Sequence, residues 1–379
     1  MRHATSDDRT ALTGARHRPP PARQRHDDSV AGAVSSLQRK VGNRATGRIL
    51  ARRTAKRPAV RRRTGLRRDA SIERYVRKAA AFLRRNGDAP LKHFALYLGA
   101  AVNEELEAAG CPAVKVTISR GSLAAAAEFD AETWQMFANP DHFTRRPEVE
   151  TLGDLTSDEA GFIAMTVYHE ARHAEQRFRV GRMLAGQGKE LDPGLNEDVA
   201  RAATAAPLTA GKASALELAE ARDWHAITLG EDATYREAVI SLLAPALGAA
   251  RAARDVNAGN AADLRDSLGR QLRGWAKYGG PGEYIRSHLV SARSRKASVI
   301  VREITRMEQH FKRAEAAWKR LPEQPEPADF KALADALAAL YKALYHAYHE
   351  QANEHDAHDS GDATFDAFAR ALAAGGRRP

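Results

Sequence analysis

The sequence predicts a mainly α fold with a small β-sheet, an α+β arrangement, on three observations. From Thr156 onward nearly every segment repeats apolar residues at helical spacing. Only two short stretches read as strands: VKVTIS at 114–119 and AEFDAETWQMFA at 127–138, the latter a second strand or a hairpin. At 379 residues with 43% hydrophobic side chains, the chain is long enough for one large or two modest cores.

Taken in order, residues 1–29 are rich in Arg, Pro, His and Asp with scarcely any large apolar side chain. Such a segment cannot offset the entropy of ordering its backbone and is predicted to be disordered. Residues 29–52 place Leu37, Val41, Ile49 and Leu50 around a Gly42-Asn43 break, which predicts one or two short amphipathic helices. A basic linker over 53–68 follows, so the leader is expected to occupy 1–70 and the folded domain 71–379. Helices are predicted over 71–85 and 90–109, then over 157–186, 195–206, 213–228, 232–254, 261–276, 296–320 and 328–353. Gly279-Gly280-Pro281-Gly282 and the stretch 322–327 punctuate them as loops, and 195–320 reads as a helical insertion.

The formal net charge of +11 lies almost wholly in the leader. Residues 1–70 hold 19 Lys and Arg against 5 acids, whereas 71–379 hold 40 against 43. A basic arm on a slightly acidic body argues against a fold shaped around nucleic acid, leaving weak contact by the tail. The single cysteine, Cys111, excludes an intramolecular disulfide framework. The sequence offers no signal-peptide-like apolar stretch near its start and no membrane-spanning run, so a cytoplasmic location in the producing cell is expected.

The chemistry concentrates in VYHEARHAEQRF. Thr156-Ser157-Asp158-Glu159 has the spacing of a capping box, and an unbroken helical pattern runs from it through the motif. His169 and His173 are four residues apart, so both imidazoles leave one face a turn apart and can share a tetrahedral zinc. Glu170 sits beside that line, where a carboxylate can act as general base on an activated water. By chance such a motif arises on the order of a few per cent of the time in a chain of this composition. A third ligand on the same stretch would need glycine at 176 and histidine at 179, where the chain has Gln176 and Arg179. It must come from elsewhere. Glu197 lies 24 residues after His173; Glu354 lies 181 residues after it, among Tyr345, Tyr348, His349, His355, Asp356 and His358. That polar and aromatic company favours Glu354 over Glu197, Glu350 and Asp356. Asp356 is placed to hydrogen-bond the far nitrogen of a ligating imidazole, and Arg172 is expected to pair with an acid. Tyr345 or Tyr348 would supply a donor opposite the metal, while Phe129, Trp134, Trp224, Trp275 and Trp318 read as core.

Two resemblances add to this reading. VYHEARHAEQRF with the late NEHDAHDSGD resembles the zincin-type metallopeptidase domains, of gluzincin character, found in bacterial injection-system cargo and polymorphic toxins. The resemblance implies a zincin-like core over 71–379, a peptide or protein substrate, and a third zinc ligand from the stretch matching Glu354-His355-Asp356-Ala357. His355 and His358 depart from that pattern. LQRKVGNRATGRIL resembles a segment near the start of many cargo proteins of bacterial extracellular contractile injection systems. This implies loading through residues 29–52 onto an injection-system component and delivery out of the producing bacterium as an effector or toxin. The other reading is a non-catalytic cargo or binding protein whose metal site is structural or degenerate.

Overall fold

The computed structural model describes residues 64–119, 126–144, 146, 148–211, 214–290 and 298–374. The leader segments at 1–29 and 29–52 lie outside the described residues.

Among the described residues the buried apolar side chains form two large cores and a third, smaller cluster. The first gathers α1 (Asp69–Arg85), α2 (Leu91–Ala108), a three-stranded sheet, the long α3 (Ser157–Gly186) and α4 (Glu197–Ala205). Helix α1 enters it with Ile72, Tyr75, Val76, Ala79 and Ala80, the spacing of a single helical stripe. The sheet is built from β1 (Lys115–Ile118), β2 (Ala127–Asp130) and β3 (Gln135–Ala138) in the order β1-β3-β2. β1 runs parallel to β3, with Val116 opposite Met136, and β2 runs antiparallel to it, with Phe129 opposite Met136. β2 is therefore an edge strand, and it lies against α3.

Helix α5 (Ala215–Thr228) packs on the far end of α3 through Leu218, Ala221 and Trp224. The second core is helical throughout: α6 (Ala233–Arg254), α7 (Ala261–Ala276), α8 (Pro281–Ser287), α9 (Ser298–Lys319) and α10 (Lys331–His349). Helix α11 (Ala352–Ala374) then leaves this lobe and packs along α3 and α1.

The helical prediction for the region after Thr156 holds in type with two corrections: the loop expected over Gly279–Gly282 is only a two-glycine turn at positive φ, with Pro281 opening the unpredicted helix α8, and the second concerns the last predicted helix. The helix expected over 328–353 is two helices with a break at Glu350 and Gln351, and α11 continues to Ala374. The break has a packing cause. Leu333, Leu337, Leu340 and Leu344 of α10 belong to the second core, whereas Glu354, Ala357, Gly361 and Phe368 of α11 face α3. The boundary near 70 is also corrected. Leu66 is fully buried in the first core, and the Gly65–Arg67 turn hydrogen-bonds to α3, so the fold includes residues from Thr64 onward. No helix among the described residues is long and apolar enough to cross a membrane.

Candidate metal centre

Helix α3 starts as its sequence requires. The Thr156 hydroxyl accepts from the Glu159 N–H at 3.2 Å, and the Glu159 carboxylate accepts from the Thr156 N–H at 2.9 Å. From this cap the helix carries His169 and His173 on one face, with their Nε2 atoms 3.1 Å apart. Glu354, in the first turn of α11, places Oε2 3.5 Å from the His173 Nε2. Two donor atoms on a tetrahedral zinc, each at about 2.0–2.1 Å, stand about 3.3 Å apart; both separations fit. All three ligand atoms lie within 4.8 Å of one another, and this trio is a buried or half-buried group that could hold a metal ion.

The approach of α11 is close at Gly361: a Cβ there would lie 3.1 Å from the Met165 Cγ, so that side chain would have to give by a few tenths of an ångström, and 3.6 Å from the His169 Cβ, an ordinary contact.

The surroundings fix which atoms point inward. Gln176 donates through Nε2 to the Asn353 carbonyl at 2.9 Å and to the Asp356 carboxylate at 2.8 Å. Its amide is thereby oriented with the oxygen toward His173, whose Nδ1 lies 2.9 Å from it. Nδ1 must then carry the proton, which leaves the Nε2 lone pair free to ligate. His169 is held by a backbone hydrogen bond with Ala357. Asn353 donates to the Glu354 Oε1 at 2.9 Å, and the Tyr348 hydroxyl hydrogen-bonds the same carboxylate.

Asp356 does not touch an imidazole. Its oxygens accept from Arg172 at 2.7 and 3.3 Å and from Gln176, so it acts on His173 one residue removed. Arg172 pairs as expected, with Asp356 across the helices and with Glu175 along α3. Its guanidinium also lies 5.0 Å from the Trp224 ring centroid.

Glu170 stands beside the trio. Its Oε1 is 4.0 Å from the His169 Nε2, and its Oε2 accepts the Phe129 N–H of edge strand β2 at 3.1 Å. Burial pushes its pKa up to about 8, His173 pulls against this, and the charges of Glu354 and Glu128 add to the rise. For His173 burial lowers the pKa, but the Glu354 carboxylate more than reverses this and raises it to about 9. Burial and the neighbouring His173 lower His169 to about 3. Glu354 is moved the other way: burial raises its pKa and the His173 charge brings it well below the usual carboxylate range.

The structure therefore brings His169, Glu170, His173 and Glu354 together. Glu197 is exposed in the first turn of α4 and joins no ligand group, so it serves a helix N-terminus. Sequence reasoning missed the orienting roles of Gln176 and Asn353 and the position of His358. The His358 ring packs 4.5 Å from that of His169 and 4.2 Å from that of His349, centroid to centroid. One signal was present: Gln176 lies three residues beyond His173, on the same helical face. Compared with protein-family models, with curated protein sequences and with solved structures, the chain matches none.

Proposed function

We propose that this chain is a zinc-dependent peptidase that hydrolyses amide bonds, with His169, His173 and Glu354 as ligands and Glu170 as general base. The observation that carries the reading is the convergence of two imidazole nitrogens and a carboxylate oxygen, two of their separations at tetrahedral spacing, with a second acid beside them and outside the ligand line. Three protein donors rather than four favour a catalytic over a structural site, because a catalytic zinc keeps one position for water or substrate.

Zinc, when bound, supplies Lewis acidity that polarises a carbonyl and makes a water acidic near neutral pH. Glu170 takes the proton from the attacking water and passes it to the leaving amine. The burial that raises its pKa toward neutrality suits both halves of that task. β2 supports a peptide substrate in particular. An extended chain laid along this edge strand would run past Glu170, whose Oε2 is already held by the strand's backbone. Tyr348 orients Glu354 through its hydroxyl, which weighs against its serving as the donor opposite the metal.

In the same reading the chain is a bacterial effector loaded through residues 29–52, a proposal supported by LQRKVGNRATGRIL. The test of the catalytic reading is Glu170→Gln. Zinc content should remain at one per chain, while cleavage of a mixed peptide library, abolished by a chelator, should fall by about 10²–10⁴-fold. Unchanged turnover in that variant would refute the assignment.

A further inference from the structure

We propose that Thr64–Arg67 is a strap that positions the ligand set, with Arg67 as a positioning residue acting through Asp356 and Gln176 on His173. For its affinity readout the proposal rests on the metal reading above.

Each of the four residues is fitted to its place, Thr64, Gly65 and Leu66 against the rear of α3 and Arg67 against α11. Thr64 donates to the Glu220 carboxylate at 2.7 Å and accepts from Arg179 at 2.5 Å. Gly65 has φ +52°, and a Cβ built on it would fall 1.5 Å from the Glu175 Oε1, so glycine is required by conformation and by space. Leu66 is fully buried; its N–H donates to Glu175 at 3.0 Å and its carbonyl accepts from the Tyr168 hydroxyl at 2.6 Å. Tyr168 immediately precedes ligand His169. Arg67 completes the set with Nη1 2.9 Å from the Asp356 Oδ1 and Nη2 3.5 Å from the Asp359 Oδ2.

Charge balance shows why Arg67 matters to the ligands. The rear network holds three cations, Arg67, Arg172 and Arg179, against five anions, Glu175, Glu217, Glu220, Asp356 and Asp359. Arg172 divides its guanidinium between Asp356 and Glu175. Anions already outnumber cations here, so without Arg67 the excess of negative charge grows next to the carboxylate that orients Gln176. Gln176 in turn sets the His173 tautomer. Partners of this kind change metal affinity without touching the ion. The strap also directly follows residues 1–63. Trimming into 64–67 would undo the ligand set.

The experiment uses the full chain with Arg67→Met, Arg67→Lys and, as an exposed control on α7, Arg270→Met. Zinc affinity is read by competition with a chromophoric chelator, and hydrogen exchange is followed over residues 352–360 in metal-free protein. With helical circular dichroism unchanged, Arg67→Met should weaken zinc binding by about tenfold or more and speed exchange in the first two turns of α11. Arg67→Lys should recover part of both effects, and Arg270→Met should change neither. If Arg67→Met does not fold, Arg67→Gln decides by the same two readouts. Wild-type affinity together with wild-type exchange in the Met or Gln variant overturns the strap. An unmutated chain that binds no zinc overturns the metal reading alone, and the exchange arm still decides the strap.

Discussion

Helix α3 is charged on two faces that solve opposite problems. On the front, the side chains of His169, Glu170 and His173 are 15, 14 and 17% exposed; on the rear, those of Arg172, Glu175 and Arg179 are 0, 0 and 3% exposed. The more deeply buried charges are the better paired. Along the rear, cation and anion alternate, so each guanidinium meets carboxylates and each of these carboxylates meets a guanidinium. At the front, two imidazole nitrogens and a carboxylate oxygen converge, and all three present lone pairs. A cluster of acceptors needs a cation or a proton between its members. In the metal-free chain the raised pKa of His173 beside Glu354 supplies that proton. A face that completes itself is a scaffold, and a face that must be completed from outside is a site.

The sharpest way to break this contrast is at Arg172, the centre of the rear network. Arg172→Met keeps the length of the side chain but leaves Asp356 and Glu175 buried without their shared partner. Removing one member of a buried ion network costs about 3–5 kcal/mol. Denaturant unfolding should show a loss of that size even with zinc absent. A loss under about 1 kcal/mol, the worth of an ordinary exposed pair, would mean that the rear is not the scaffold.

A smaller effect, of different character, is expected at Gln176, which joins the two faces. Gln176→Leu preserves bulk but removes both the acceptor for the His173 Nδ1 and the donors to Asn353 and Asp356. The imidazole is then free to rotate and to change tautomer. Zinc affinity should fall by about 10–100-fold, while the metal-free protein should lose much less stability than Arg172→Met. Affinity equal to wild type would show that packing alone orients His173 and that the relay from Asp356 is idle.

Helix α3 and α11 also differ in how much of each could be read from the chain. The α3 site was legible because its signals are local: Thr156 and Glu159 close a cap, and four residues separate the histidines. The strand-bearing stretches at 114–119 and 127–138 were also plain, and the structure settles the second, read as a strand or a hairpin, as the hairpin of β2 and β3. α11 was not legible as a helix because its buried face is small and polar. Asn353, Glu354, Asp356, Ser360, Gly361 and Thr364 give little apolar rhythm, since that face exists to approach α3 closely and to hydrogen-bond it. Glu354 was nevertheless identifiable from its company, whereas the partner of Asp356 was not, because hydrogen bonds across 180 residues leave no spacing to read. The same holds for Thr64–Arg67. It sits within the basic stretch 53–68 that reads as linker, and only the acids of α3, α5 and α11 reveal it as part of the fold.

The smallest effect should appear at the start of α3, away from both faces. Glu159 closes the capping box and also accepts from Arg146, with Nη2 at 2.6 Å, and from Thr144. Burial raises its pKa, but the hydrogen bonds from Arg146 and Thr144 outweigh this and hold it at about 2, below its ordinary 4.5. A carboxylate depressed in the folded state contributes stability that is present above its unfolded pKa and disappears as pH falls through the folded one. Glu159→Gln should therefore cost about 1 kcal/mol at pH 7, the scale of a helix cap. The gap from wild type should narrow from pH 4.5 downward and close near pH 2. Urea unfolding of both proteins across that range checks it. A gap that stays constant to pH 2 would mean that the glutamate acts by shape and not by charge, and that the end of α3 is held as independently of ionisation as an apolar contact.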